Sequence, residues 1–459
     1  MTPDETVHTG DTDLSGQTFT DADFSGHVFE GRADFSRCVF RGRTDFTGAA
    51  FHGAADFTGA AFTERALFAG AAFEAGADFY DARFEAFADF QNARVAGDLR
   101  CSGAAFADGP LLEGVEITGT LRLNRAVLTD SSLLGPFRAD RIVLRSAVFE
   151  RRTRVEADTR WVNCERVRFS GGVQLLVSGA DVLLTDCELG SASLVAPNRV
   201  GGRAGGRPRM VSVSGTDMSN LTFGDVDLSP CKFTVAHNLE KVKIEQEDAF
   251  GWTPRSPWIS RRRVTGDERR WRAANGPHAA LWTPPADWPA RVPPSSAAEV
   301  VKTYRALRKS REDAKDEPGA ADFYYGEMDL RRLATRVRAR DLRRGRQWRG
   351  WLAARGEYAL LWSYWAVSGY GLRAWRAFAA LAVLVALCAA AFLAWGYPPG
   401  TRMDYADSIR YSLRAATSFL RGPEQKLTAT GEWIELVLRF AGPVLFGLAL
   451  LALRGRVKR

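Results

Sequence analysis

Histidine is scarce in this 459-residue chain, and its five positions (His8, His27, His52, His237 and His278) are scattered. No Ser/His/Asp set, phosphate-cradling glycine loop or cluster of metal-ligating side chains stands out. No catalytic residue, cofactor or metal ion is therefore expected, and an enzyme is not the reading. The six cysteines lack the paired spacing of zinc or redox sites, which points to a reducing compartment. An apolar leader is missing too: the first 20 residues are polar and acidic, so no secretory signal is expected. Finally, charge of one sign is short in each half. The net charge is −10 up to residue 250 and +18 beyond it, an asymmetry that suggests different neighbours for the two halves.

What is abundant is phenylalanine at a fixed rhythm. It occurs at 24, 29, 35, 40, 46, 51, 57, 62, 68, 73, 79, 84 and 90. The spacing alternates five and six residues, a period that neither a helix nor a flat strand has. A chain that turns a corner every five or six residues does have it. Small residues often stand two positions earlier (Ala33, Ala49, Ala55, Ala60, Ala71, Ala77, Ala82, Ala88). In extended chain these share the inward side with the phenylalanine. Glycine often follows at i+2, where the corner must bend. Four faces make a 22-residue coil, which stacks Phe24 under Phe46, Phe68 and Phe90. The pattern weakens through Ile117, Leu123, Leu128 and Leu134, and returns as Cys164/Phe169, Leu184/Leu189 and Leu228/Phe233. Roughly ten coils at ~4.8 Å each give a rod of ~50 Å. Five cysteines (Cys38, Cys101, Cys164, Cys187, Cys231) fall on inward positions as small apolar fillers.

The stretches Ala33-Asp34-Phe35-Ser36-Arg37 and Ala55-Asp56-Phe57-Thr58-Gly59 resemble the pentapeptide-repeat proteins, in a variant with alternating five- and six-residue spacing. The resemblance covers roughly residues 10–245. It implies a right-handed quadrilateral β-helix and says almost nothing about activity.

Five segments follow: a disordered tail (1–13), the β-helix (14–250), a Trp/Pro-rich cap or linker (251–296), a helical connector with a basic juxtamembrane segment (297–376), and two transmembrane helices with an amphipathic helix between them (377–459). The Gly/Arg stretch Asn198–Met210 reads as a surface insertion or as a phosphate or nucleic-acid contact. Trp252, Trp258, Trp271, Trp282 and Trp288 are candidates to cover the apolar end of the rod or to make a subunit contact. A helix is expected after Ser295-Ser296, with Glu299 in its first turn. Asp316-Glu317-Pro318-Gly319 should break the chain before a second helix, giving an antiparallel pair. The run DFYYGEMDLRR resembles the connector of bacterial membrane pentapeptide-repeat proteins.

Arg331 to Arg355 holds ten arginines and one acid, Asp341. Nucleic acid is one partner for such a run. The aromatic stretch Leu360-Leu361-Trp362, Tyr364-Trp365 and Tyr370, followed by a membrane span, argues for anionic lipid instead. Ala377–Gly396 is uncharged and long enough to cross a bilayer. Trp433–Leu453 is the second span, interrupted by Glu435, Arg439 and Pro443. Glu435 and Arg439, at i and i+4, form a membrane-embedded pair or sit at the interface and snorkel. Arginines on both outer flanks place both termini in the cytoplasm of a multi-pass protein of the inner or plasma membrane.

Between the spans an amphipathic helix carries Ile409, Leu413, Ala416 and Leu420 on one stripe. Span, helix, loop, span resembles the pore domain of two-helix potassium channels, but Arg421-Gly422-Pro423-Glu424 stands where a filter would be. The reading is a membrane-anchored interaction scaffold with an unidentified protein partner. The alternatives are an oligomeric, channel-like protein without a potassium filter, and an acidic DNA mimic that modulates topoisomerase; the spans and the +18 half argue against the latter. Asp34, Asp56 and Asp78 should form one outward column on the rod. The column is a solvated face or a recognition surface for a cationic partner, the chain's own Arg331–Arg355 included.

Overall fold

Each coil of the N-terminal unit is four short strands and four corners. Val28–Phe29, Ala33–Asp34, Val39–Phe40 and Thr44–Asp45 complete one circuit, and Ala50–Phe51 then lies parallel on the first strand, with Val28 opposite Ala50. The 22-residue coil is thus the observed one. The computed structural model describes residues 6–198, 206–256, 259–283, 295–398, 401, 403–417 and 426–457. The chain forms two units, Met1–Gly319 and Ala320–Arg459.

The phenylalanines pack as the spacing requires. Phe24 stacks on Phe46 at 5.0 Å, Phe29 on Phe51 at 4.9 Å, Phe35 on Phe57 at 5.0 Å and Phe40 on Phe62 at 4.7 Å, the ring planes within 11° of parallel. Adjacent columns meet edge-on, as Phe46 meets Phe57 at 5.4 Å and 84°. This is the arrangement the ring quadrupole favours. Where alanine stands at i−2, as at Ala33, Ala49, Ala55 and Ala60, it is buried beside the ring.

Glycine at i+2 serves two different purposes. Gly26, Gly48, Gly59 and Gly70 have φ near +67° and supply the left-handed corner. Gly31, Gly42 and Gly53 do not. A Cβ there would meet the backbone of the preceding coil at 2.4, 1.9 and 2.2 Å, so close approach between coils selects glycine.

The first coil starts earlier than the sequence suggests. Val7–His8 pairs with Val28–Phe29, and Thr12 with Ala33. From residue 6 the supposed tail is solenoid. His8 lies flat on the Phe29 ring at 4.5 Å, so an imidazole ends the column, which the phenylalanine count misses. Beyond Glu116 the strands lengthen to as many as 11 residues, Leu133–Val143, and the coil shortens, with Trp161 opposite Asp181. Aliphatic side chains there replace the rings, and Cys164, Phe169, Leu184, Leu189, Leu228 and Phe233 all point inward. The last ladder strand is Lys243–Ile244.

An exposed solenoid end would leave apolar rings and carbonyl groups in water. Two helices cover it: α1 (Gly266–Asn275) and α2 (Ala297–Asp313). On α2, Ser296 and Glu299 form the expected capping box. At its other end the Ser310 hydroxyl donates to the Val242 carbonyl (2.8 Å), and the Arg311 guanidinium donates to those of Ile244 (3.4 Å) and Gln246 (3.3 Å). Trp271 and Trp282 are buried in this unit, whereas Trp252 is exposed; Trp258 and Trp288 lie outside the described residues. Beneath α1 the Glu268 carboxylate is paired with Arg262 and Arg272 and accepts from the Tyr304 hydroxyl. Burial opposes its ionisation, but the two guanidinium groups hold it below the usual carboxylate range.

Asp267 beside it behaves oppositely. Its carboxylate accepts from the Phe233 amide (2.8 Å) and the Thr234 hydroxyl (3.0 Å), yet burial raises it from 3.8 to about 6. A folded-state value above the unfolded one favours the protonated form in the native state. Its contribution to stability is therefore largest below pH 3.8, falls as pH rises, and is constant above about 6. Asp267→Asn is expected to flatten that part of the pH profile of the denaturant midpoint; an unchanged profile would contradict the assignment.

The second unit is helical. Its first helix, α3, spans Glu317–Arg344 and begins inside the expected break: Pro318 and Gly319 are in its first turn. Proline is at home there because a first-turn N–H has no helical partner in any case. The chain turns just before, at Lys315 with φ 60°, and the Asp316 carboxylate accepts from the Gly319 amide (2.9 Å). The helix α4 (Trp348–Ser368) returns antiparallel to α3. The Trp365 indole donates to the Tyr325 hydroxyl (2.9 Å), and Arg331 pairs with Glu357 (3.1 Å). Tyr370 is buried, edge-on to Tyr325 and Tyr364, so it is core and not an interfacial aromatic.

Three helices complete the unit: α5 (Ala374–Ala391, continued by a wider π turn to Gly396), α6 (Tyr405–Thr417) and α7 (Ala429–Val457, unbroken through Pro443). Two stretches, Ala374–Gly396 and Ala429–Ala452, are long and apolar enough to cross a membrane. The buried face of α6 is Ser408, Ser412, Ala415 and Ala416, while Leu413 is exposed. Of the expected stripe, Ala416 is buried and Ile409 packs against the core, whereas Leu413 faces out; Leu420 lies outside the described residues. Small side chains are needed on the inside because α6 nearly touches α7: a Cβ on Gly442 would sit 2.4 Å from the Ala416 carbonyl oxygen.

Candidate functional site

On the solenoid, Asp34, Asp56 and Asp78 stand opposite one another in adjacent coils. Each is the residue before an inward phenylalanine, so its side chain faces out. One oxygen of each has a structural task. Asp34 accepts from the Ser36 amide (3.0 Å), Asp56 from that of Thr58 (3.1 Å) and Asp78 from that of Tyr80 (3.0 Å). These Asx turns close the left-handed corner. Arg32 reaches across to Asp34 (3.0 Å) and Asp56 (2.9 Å), and Arg100 lies 3.6 Å from Asp78. The column is thus turn-capping and partly neutralised by its own arginines. The second column runs Asp23, Asp45, Leu67, Asp89, as the spacing predicts.

The Gly/Arg stretch is divided by what is described. Arg207 pairs with Asp225 and with Asp248 (2.8 Å), and Arg209 with Asp181 (3.3 Å); residues 199–205 lie outside the described residues. The five solenoid thiols are buried. Burial pushes Cys187 up to about 12 and the other four upward as well, which holds them protonated and unreactive. Among the described residues no three His, Cys, Asp or Glu side chains gather as metal ligands.

In the helical unit, Glu435 is buried and paired with Arg439 one turn on. It faces the inside of the hairpin and not the solvent, and the pair neutralises itself. The core around it is Val385, Phe392, Ala415, Ala416 and Leu438. Outside, Val383, Leu387, Val444 and Leu451 are exposed, with Trp375 at one end of α5 and Trp395 and Trp433 at the other. Arg421 to Glu424, the sequence in place of a filter, lies outside the described residues.

Residues 35–83 match the family model described as pentapeptide repeats (9 copies). The solenoid is a pentapeptide-repeat domain. No curated protein and no solved structure matches the chain. The pentapeptide-repeat domain presents charged turns on its outside, and its rings fill its interior.

The arginine run of α3 and α4 has a finer structure than its charge count suggests. Arg331 is paired with Glu357, and Arg332 with Asp329 (2.8 Å) beneath the Trp365 ring (4.4 Å). Arg336, Arg340 and Arg343 on α3 face Trp351, Arg355 and Tyr358 on α4 across a cleft of about 440 Å³, with buried Ala339 at its base. Both triplets have the spacing i, i+4, i+7, which places them on one helical face each. That signal is in the sequence. It is hidden there by Arg338, Arg344, Arg346 and Arg349, which do not line the cleft.

Proposed function

We propose that the chain is a membrane-anchored scaffold. The pentapeptide-repeat domain presents an interaction surface on the cytoplasmic side of a bacterial inner or plasma membrane, and the α5–α7 hairpin holds it there. The observation that supports this most is the exposed apolar coat of α5 and α7, bounded by tryptophans at both ends. In water such a surface is a liability, whereas in a bilayer it is the lipid-facing side. The 23 residues of Ala374–Gly396 make a helix of ~34 Å, enough for a ~30 Å hydrocarbon core.

The arginines of α3 and α4 precede the first span and sit where anionic headgroups attract basic side chains. With the arginines at the end of α7, they support a topology in which both termini are on the cytoplasmic side. The role is binding and not catalysis, and the partner is a protein whose cationic surface meets the aspartate columns. Alkaline carbonate extraction tests the anchor. Full-length protein is expected in the pellet, and a chain ending at Gly319 in the supernatant. Release of the full-length protein by carbonate would refute the membrane reading.

A further inference from the structure

The cleft between α3 and α4 goes beyond a general basic surface. Arg336, Arg340, Arg343 and Arg355 converge on it, and no carboxylate pairs with any of the four among the described residues. Their neighbours Arg331 and Arg332 do have acids. Four unpaired guanidinium groups around one concavity repel one another, and a bound anion would remove that repulsion. The volume of about 440 Å³ is that of a small-ligand site, typically ~300–1,000 Å³. Guanidinium forks match the oxygen geometry of phosphate, two bonds to each group. A single phosphate cannot serve four forks, so the fitting ligand carries at least two. The aromatic wall, with the Arg355 guanidinium 5.8 Å from the Trp351 ring centre, holds the arginine in place and offers an apolar flank.

Other exposed side chains of α4 say where such a ligand comes from. Trp348, Leu352, Leu360 and Trp362 are exposed on that helix, which continues through a short turn into the first span at Ala374. A helix with exposed tryptophan and leucine beside a basic cleft has the make-up of one lying in the membrane interface. Acyl chains would cover the apolar side chains while the phosphates enter the cleft. We propose that the α3–α4 cleft is a headgroup site for a lipid bearing two phosphates. The proposal rests on the membrane reading above and makes it specific.

The test uses full-length protein in an uncharged detergent, titrated with cardiolipin (two phosphates), with phosphatidylglycerol (one) at equal phosphate, and with inorganic pyrophosphate. Cardiolipin is expected to bind at least about tenfold more tightly than either of the others. Arg336→Gln, Arg340→Gln and Arg343→Gln together should abolish that preference. Arg338→Gln, Arg344→Gln and Arg346→Gln together remove the same charge outside the cleft and should leave it intact. Equal losses in the two triple variants would overturn the site in favour of diffuse charge. Pyrophosphate binding as tight as cardiolipin would overturn the lipid assignment. Folding of each variant is read from its circular dichroism and elution volume; should the first triple misfold, Arg340→Gln alone must still weaken cardiolipin binding selectively, and an unchanged affinity sinks the proposal. Carbonate extraction of the same preparations scores membrane anchoring separately, so failure of the cleft and failure of the anchor give different results.

Discussion

Replacing Phe57 by alanine is expected to destabilise the pentapeptide-repeat domain by ~3–5 kcal/mol, the usual range for emptying a buried aromatic position. Phe57 is fully buried. It stacks on Phe35 (5.0 Å) and Phe79 (4.8 Å) and meets Phe46 (5.4 Å) and Phe68 (5.5 Å) edge-on. The hole cannot collapse, because each coil is held in register by its neighbours' backbone ladders, as Ala55 is by Ala33 and Ala77. In a solenoid each coil contacts only the next, so the loss is local. Hydrogen exchange on the full-length protein should show reduced protection in the coils around residue 57 and unchanged protection in α5 and α7. Wild-type protection throughout would contradict the stacked-column account.

The second large effect is expected at the cap. Glu268→Gln leaves Arg262 and Arg272 buried, at 3% and 5% exposure, without the carboxylate that both share. Removing one partner of a buried ion cluster costs ~3–5 kcal/mol, whereas replacing the whole cluster with apolar side chains of similar volume is often neutral. Arg262→Met, Glu268→Leu and Arg272→Met together should therefore recover part of the loss, the buried Tyr304 hydroxyl still lacking its acceptor. The readout is the denaturant midpoint of the solenoid unit. A single variant as stable as the parent, or a triple variant worse than the single one, would mean that the cluster does not hold the cap.

The two units differ in how much of them the sequence reveals, and the reason is physical. A solenoid repeats one local rule, so the alternating five-six spacing of phenylalanine sets face count, coil length and stacking partners together. It fails where another residue plays the same part, as His8 does on Phe29, and beyond Glu116, where aliphatic side chains replace the rings and the coil shortens. The cap breaks the rule of repetition. Its polar cluster of Glu268, Arg262, Arg272 and Tyr304 joins residues 36 apart, and no spacing announces such a meeting.

The hairpin is a middle case. The apolar runs of α5 and α7 are plain, but the lining of α6 is legible only in part. Leu413 faces outward, whereas Ser408, Ser412, Ala415 and Ala416 face in, because α6 comes too close to α7 for larger side chains at the contact: a Cβ on Gly442 would sit 2.4 Å from the Ala416 carbonyl oxygen. The aspartates before the phenylalanines suggest an acidic surface; their second role, accepting the backbone amide two residues on to close the corner, does not depend on which residue follows the ring, since Ser36, Thr58 and Tyr80 all donate. The arginine cleft is legible only after the two helices are known to run antiparallel.

We propose that a two-span anchor keeps the solenoid on the cytoplasmic side. This arrangement is tested most directly by reporter fusions to Met1 and after Arg459, using one reporter active only inside the cell and one active only outside. Cytoplasmic signals at both ends are the expected result. An external signal at the C-terminus would mean that the chain crosses the membrane an odd number of times, and would contradict the hairpin.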